Sequence, residues 1–376
     1  MIYLDNSAST RPDPAVLASY QAAADAYFAN PASLHPEGTR AENLLEKARK
    51  QVAAQLRAEP FEVIFTSGAT EANNTAIQGT AKNKTGRVHM VVTTVEHPSV
   101  HETCLHLESQ GVDITWLHPD QDGRITVPQV ESALKDHTCL VSMMHVNNET
   151  GVVFPIEEVG GMLQHYPNVA FHVDHVQGAG RVPLDFSEAG VDLLTISGHK
   201  IHGLKGTGAL LVRKASLLKP LLHGGGQEAG LRSGTADAAG AVSLAKALRL
   251  TMEAAGDKQQ HMRRLSLDIQ QFLLERPDVF VLQPGESAPH ITAAALTTRN
   301  PEPFIQAMAE QDVIISTTSA CSSKAAGSRV WKGMGLDGSG AVRISLTSST
   351  TEEDVEGFKQ AWLQAEEKII KAGAAL

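Results

Sequence analysis

Cysteine is scarce: the 376 residues hold three, Cys104, Cys139 and Cys321. They are scattered and odd in number, so a disulfide framework is not expected and at least one thiol is left for chemistry. Long apolar runs are missing as well. No stretch approaches the ~18 uninterrupted apolar residues of a membrane helix, and the opening MIYLDNSAST has neither the basic start nor the apolar centre of a signal peptide. A cytoplasmic protein without membrane contact is the expectation. Positive charge is in deficit, with 32 Lys and Arg against 42 Asp and Glu and a formal charge of −10. That balance argues against a broad nucleic-acid surface, which needs clustered cations. Any anionic ligand has to be held locally.

What is present suits one large globular unit and a smaller one, because 42% hydrophobic and 20% charged residues leave ample material for a core. From about 60 to 215, short β-rich runs alternate with helical patterns. FEVIFT, VHMVVTT, VDITWL, CLVSMMHV, VAFHVD, LLTIS and GALLVR read as strands, with helices starting near 70, 98 and 127. Such alternation predicts an α/β fold with a mostly parallel sheet covered on both faces, whose ligands sit beyond the carboxyl ends of the strands. A long helical stretch follows from about 236 to 276, and the rest reads as a smaller α/β unit: VFVLQ, ITAAALT, a helix from 302, VIISTT, VRISL and a last helix from 351. The expected division is 15–250 for the large domain and 1–14 plus 251–376 for the small one. STTSACSSKAAGS, at 316–328, is made of residues too small to bury much surface and is expected to be mobile.

Several chemistry-bearing residues fall at or just after those strand ends: Ser67 to Thr70, Glu96-His97, Asn147-Asn148, Asp174 and Lys200. FTSGATEANN, at 65–74, reads as a strand, a small-residue turn and a helix start, which aims unpaired amides of Ala69 and Thr70 at an anion. It lacks the lysine of a nucleoside-triphosphate loop. Lys200 and Asp174 together fit pyridoxal 5'-phosphate, which needs a lysine to hold its aldehyde as a Schiff base and a carboxylate to keep its ring nitrogen protonated. Taken singly, each residue is an ordinary strand-end side chain. Alternation along VAFHVDHVQ puts His172, Asp174 and Val176 on one face and His175 on the other, so the HVDH cluster cannot converge on a metal ion. His97, His101, Cys104 and His106 also resemble a ligand set, but no metal is assigned to them. Cys104 and Cys139 lie among apolar neighbours and read as core thiols. Cys321 lies in the loose, small-residue stretch, where a thiol can move between a cofactor and a partner. Arg343, flanked by Val342 and Ile344, leaves the apolar face and could clamp a carboxylate, or pair with an acidic neighbour.

The run of motifs YLDNSAST, NPAS, FTSGATEANN, EHPSV, MHVNNETG, HVDHVQ, SGHK, HGGGQEAGLRSGT and SACSS resembles the cysteine desulfurases, in the class V aminotransferase branch of fold-type I pyridoxal phosphate enzymes. The resemblance covers nearly the whole chain. It implies Lys200 as the Schiff-base lysine, Asp174 on the ring nitrogen, His97 stacked on the ring, and Gln177 and Asn148 near the phenolic oxygen, while strand alternation lets Val176 cover the opposite ring face. Ala69, Thr70, Ser197 and His199 would hold the phosphate, with Thr235 reaching it from a second subunit of a homodimer. Arg343 and Asn148 would bind the carboxylate of L-cysteine, and Cys321 would take its sulfur as a persulfide, leaving L-alanine. A sulfur-acceptor protein, an iron–sulfur scaffold or a tRNA-thiolating enzyme, would receive it. The 22 positions from Cys321 to Arg343 resemble the longer-loop subgroup, which favours direct hand-over. A transaminase or selenocysteine lyase would use the same cofactor residues without needing Cys321. The chain departs from the family pattern at Ser322-Ser323-Lys324-Ala325, at Ser348 in place of a common arginine, and at His175 and His202.

Overall fold

The computed structural model describes residues 1–253, 255–298, 300–318, 328–371 and 373. Its larger sheet contains β2 (Val63–Thr66), β3 (His89–Thr93), β4 (Asp113–Leu117), β5 (Thr138–Met144), β6 (Ala170–Asp174), β7 (Leu193–Ser197) and β8 (Gly208–Val212), in the order β2-β8-β7-β6-β5-β3-β4. Strands β7, β6, β5, β3 and β4 pair in parallel, whereas β8 runs antiparallel to both of its neighbours. Because β8 reverses twice, β2 points the same way as the parallel strands, and the ends of β2, β3, β5, β6 and β7 open on one edge.

Alternating side chains of these strands feed two apolar layers, as a sheet covered on both faces requires. Val91, Val141, Leu194 and Leu211 join the layer beneath α1 (Pro14–Ala26), α2 (Pro36–Leu56) and α7 (Ala238–Met252). Their neighbours Met90, Val92, Leu140, Leu193 and Leu210 join the layer under α3 (Ala69–Lys82) and α4 (Pro98–Ser109). The helical stretch after 236 is two helices, because Glu253 turns to extended backbone (ψ 125) after α7 and a second helix, α8, runs Ala255–Leu274. Helices α1 and α2 pack on α7 but are not among the elements expected from the sequence.

The smaller sheet has the order β12-β13-β10-β9, with β9 (Val279–Val281), β10 (Ile291–Leu296), β12 (Ser316–Thr317) and β13 (Ala341–Ser345) antiparallel throughout. Val342 and Ile344 face an apolar cluster with Ile269 of α8, Phe304 of α9 (Pro301–Ala309) and Trp362 of α11 (Glu352–Lys371). The chain start belongs here too: β1 (Ile2–Tyr3) pairs in parallel with β11 (Val313–Ile314), and Asp5 bridges to Ser345. No helix among the described residues is long and apolar enough to cross a membrane.

Histidine is used inside the larger sheet as a neutral polar connector. His172 reaches Ser142 Oγ (2.8 Å) and Thr195 Oγ1 (3.2 Å) on the flanking strands, and His89 joins Thr138 and Thr115 in the same way. Just past β5 and β6, His145 Nδ1 meets His175 Nδ1 at 2.8 Å, which requires one ring to donate and the other to accept. Gly178 makes room for this pair, since a Cβ there would lie 2.5 Å from one Nδ1 and 2.8 Å from the other. Burial lowers His145, His172 and His89 to about 4, and holds His175 well below its ordinary value. The unfolded chain therefore binds protons below pH 6.5 that the folded chain refuses down to about pH 4. Stability is full above that window and falls as pH drops through it. Denaturation midpoints should be level from about pH 8 to 7 and decline steadily from about 6.5 to 5, with a shallower decline in His172→Asn. Midpoints that stay level down to about pH 5 would contradict the neutral-histidine packing.

Candidate active site

The open edge of the larger sheet holds a cavity of ≈ 550 Å³ lined by Ala69, Thr70, His97, Asn148, Asp174, Val176, Gln177, Ser197, His199 and Lys200, with Ala8, Ser9, Ser67, Gly68 and Met144 among the rest. Ten of the residues singled out in the sequence thus meet in one place. The volume lies within the usual range of about 300–1,000 Å³ for small-molecule sites.

Its anion end is made by backbone. Gly68 caps α3 with φ 144 and no side chain closes the helix start, so the first-turn amides at Ala69 and Thr70 and the positive helix end face the cavity. Gly208 of β8 allows the turn to sit so low. A Cβ at 208 would come within 2.7 Å of Gly68 Cα and 2.8 Å of Ile196 O, both backbone atoms. Glu71 fixes the turn, accepting from Ser67 N (2.9 Å) and pairing with Arg232 at 2.8 Å.

At the other end Asp174 closes β6 with 4% of its surface exposed. Asn73, one turn into α3, donates to Asp174 Oδ2 (2.8 Å), and Val176 N donates to Oδ1 (3.0 Å). Asn73 Nδ2 also donates to Ser99 Oγ (2.9 Å), which lies 2.8 Å from His97 Nδ1. Since His97 Nδ1 also accepts from Ser99 N at 3.1 Å while capping α4, its proton sits on Nε2. Burial lowers the pKa of His97, with Asp174 opposing, and the ring is neutral. Glu96, just before it, is fully buried; Thr93 Oγ1 (2.6 Å) and Met144 N (2.8 Å) donate to Oε1, and burial pushes it up to about 8. It is a neutral acid at pH 7.

Lys200 follows β7 on a single helical turn, Gly198–Lys200. Its Nζ donates to the carbonyls of Ser7 (2.5 Å) and Ala8 (2.8 Å), and Gln177 Nε2 shares Ser7 O at 2.9 Å. That segment is pinned by Ser7 N to Ser345 Oγ (2.9 Å) and Thr10 N to His199 O (2.8 Å), so the NSAST stretch bridges the smaller sheet to the cavity. His199 Nδ1 is 3.3 Å from Ser9 Oγ, and burial lowers it to about 4.

Two expected residues stand elsewhere. Thr235 lines an adjoining cavity of ≈ 240 Å³ that shares Ser67 and Gly206 with the first. Arg343 is off the cavity wall, buried behind Asn148: it donates to Asn148 O (2.8 Å) and pairs with Asp5 at 2.7 Å. Arg343 meets an acidic neighbour here because β13, which carries it, runs beside the chain start at Asp5. Cys321 lies outside the described residues. Cys104 and Cys139 are buried, and burial raises both thiols, Cys139 to about 11. His101 packs against Trp116 with ring centres 4.8 Å apart.

Sequence reasoning missed the parts that orient these groups. Asn73 left a trace, since an asparagine inside a helix is a poor helix former that needs another reason to be there. The Ser7 and Ala8 acceptors are backbone carbonyls and leave none.

The chain is similar to known proteins over nearly its whole length. The aminotransferase class-V family model matches residues 2–358. A NifS/IcsS protein homolog of Lactobacillus delbrueckii subsp. bulgaricus is 41% identical over 371 residues, 96% of each chain. A cysteine desulfurase of Nostoc sp. is 38% identical over 98% of this chain and 99% of its own. A solved NifS-like protein superposes with a TM-score of 0.91 at 32% identity, covering 98% of this chain and 99% of the other. The chain belongs to the class-V aminotransferase family, in its cysteine desulfurase branch.

Proposed function

We propose that the chain binds pyridoxal 5'-phosphate and acts as a cysteine desulfurase, converting L-cysteine to L-alanine and passing the sulfur through Cys321 to an acceptor protein. The observation that carries this reading is the meeting of Lys200, Asp174, His97 and the uncapped start of α3 in one cavity. The residues fit the cofactor. The helix start suits its phosphate, Asp174 suits a ring nitrogen, and two buried atoms, Asn73 Oδ1 and Ser7 Oγ, have no partner among the described residues.

Ala69, Thr70, Ser197 and His199 would hold the phosphate, with Thr235 of a second subunit completing it in a homodimer. Asp174, Val176, Gln177, Asn148 and His97 would hold the ring, and Lys200 the aldehyde carbon. Bound there, the cofactor supplies a cationic ring able to accept the electron pair released at the substrate α-carbon. The division expected from the sequence goes with this: 15–250 carries the cofactor, and 1–14 with 251–376 carries Arg343 and the cysteine segment.

The protein's part is binding and proton movement. Lys200 Nζ, which donates to two carbonyls, would take and return the α-proton, and neutral His97, with its proton on Nε2, would be a second proton carrier. Arg343 would exchange Asp5 for the substrate carboxylate, a swap of one carboxylate for another. The Cys321 thiolate then attacks the substrate sulfur: an S–S bond forms, the C–S bond breaks, and the carbon takes the electron pair and a proton to become alanine. Ser328 and Arg329 support this reach, since Ser328 donates to Glu149 (2.5 Å) and Arg329 to the carbonyls of Thr94 and Glu96, beside His97. Six residues lie between Cys321 and Ser328, so the two are at most about 25 Å apart along the chain.

Cys321→Ser should retain the cofactor's absorbance yet form no persulfide from labelled L-cysteine; undiminished persulfide would remove Cys321 from the scheme. Lys200→Ala should lose the borohydride-fixable link to the cofactor, checked by peptide mapping. Asn73→Ala strips a donor from a buried carboxylate, an effect of about 1–3 kcal/mol, so cofactor affinity after dialysis should fall by about tenfold or more. Gly208→Ala should do likewise by lifting the 67–70 turn.

A further inference from the structure

Behind the turn that carries Lys200 lies a separate cavity of ≈ 170 Å³, lined by Asp13, Arg181, His202, Lys258, Thr347 and Ser348 among others. None of these residues lines the larger cavity. Arg181 is its unusual member. It is 5% exposed, its Nη2 donates to the backbone carbonyl of Lys200 (2.6 Å), and its Nη1 is buried with no partner among the described residues. Among the described residues it has no acidic partner, whereas Arg49 and Arg343, the other arginines buried to this degree, are each paired with a carboxylate. A guanidinium taken out of water without a counter-charge is a costly arrangement.

The surroundings add to the positive side. Lys258 uses one hydrogen on Leu250 O (2.6 Å), leaving others for a ligand. His202 holds φ 60 and is fully engaged: Nδ1 lies 3.1 Å from Arg11 O, so it carries the proton, and Nε2 accepts from Thr347 Oγ1 at 2.7 Å. It is neutral and offers no free donor. Asp13 is the acid on the wall, with Oδ1 committed to Ala15 N (2.7 Å) at the start of α1. Arg181, Lys258 and Asp13 all act electrostatically on His202, which places the three charges around one point. Two cations against one acid leave a single positive excess. Ser348, where the family pattern has an arginine, leaves a hydroxyl and open space instead.

We propose that this cavity is a binding site for a small tetrahedral oxyanion of the size of phosphate or sulfate, held by Arg181, Lys258 and the Ser348 hydroxyl. The planar fork of Arg181 would then bind the anion on one nitrogen and the Lys200 peptide on another, so the anion stiffens the turn bearing that lysine. The site is independent of the cofactor reading, because it shares no wall with the larger cavity.

The test is a titration of the full-length, cofactor-saturated protein with inorganic phosphate and with sulfate, at ionic strength held constant with chloride. The thermal midpoint should rise saturably with either oxyanion and not with chloride. Hydrogen exchange of peptides covering 198–203 and 347–351 should slow in parallel. Lys258→Met should weaken the apparent affinity about tenfold, as loss of one charge-assisted contact does. Ser348→Glu should abolish it, and Thr70→Val, in the larger cavity, should leave it unchanged. An equal response to chloride, an undiminished response in Lys258→Met, or its loss in Thr70→Val would overturn the proposal.

Discussion

A carboxylate buried at the end of a parallel strand has to be held, and the way Asp174 is held organises everything around it. Its two oxygens take one hydrogen bond each, from Asn73 and from the amide of Val176. The first fixes the rotation and depth of α3 against the sheet, and α3 is the same helix whose start forms the anion end of the cavity. One helix placement therefore sets both ends of the site at once. The second donor makes the chain turn directly after β6, which brings Val176 and Gln177 onto the wall and sends His175 away to meet His145.

The chain's first ten residues do comparable work from the opposite side. They begin as a strand against β11, pass along β13, and end on the turn that carries Lys200. A polar stretch with few apolar residues is thereby made structural by its carbonyls, which accept from Lys200 and Gln177. The smaller sheet, through Ser345, fixes where those carbonyls stand. Motion of that sheet relative to the larger one would be felt at Lys200 Nζ.

The strands of the larger sheet were legible because each is a short β-rich run between turn residues, and the clustering of Thr70, His97, Asp174 and Lys200 followed from where such strands end. The helices α1 and α2 were not, since α2 is rich in charge and α1 in alanine, which blurs an apolar stripe. Arg343 shows a different boundary. Strand alternation places its guanidinium off the apolar face, but which carboxylate it meets depends on Asp5, 338 positions away. Long-range pairings of that kind, like Arg49 with Glu228 or Arg181 with the Lys200 carbonyl, leave no local pattern to read.

The histidines around Asp174 carry one more consequence. His172 stands two residues before it on β6, His175 directly follows it, and His145 meets His175, yet burial keeps all three rings uncharged. Imidazolium at any of these places would have cancelled the negative field of the carboxylate from behind. As built, no cation among these three rings offsets that field, and it reaches the cavity undiminished by them.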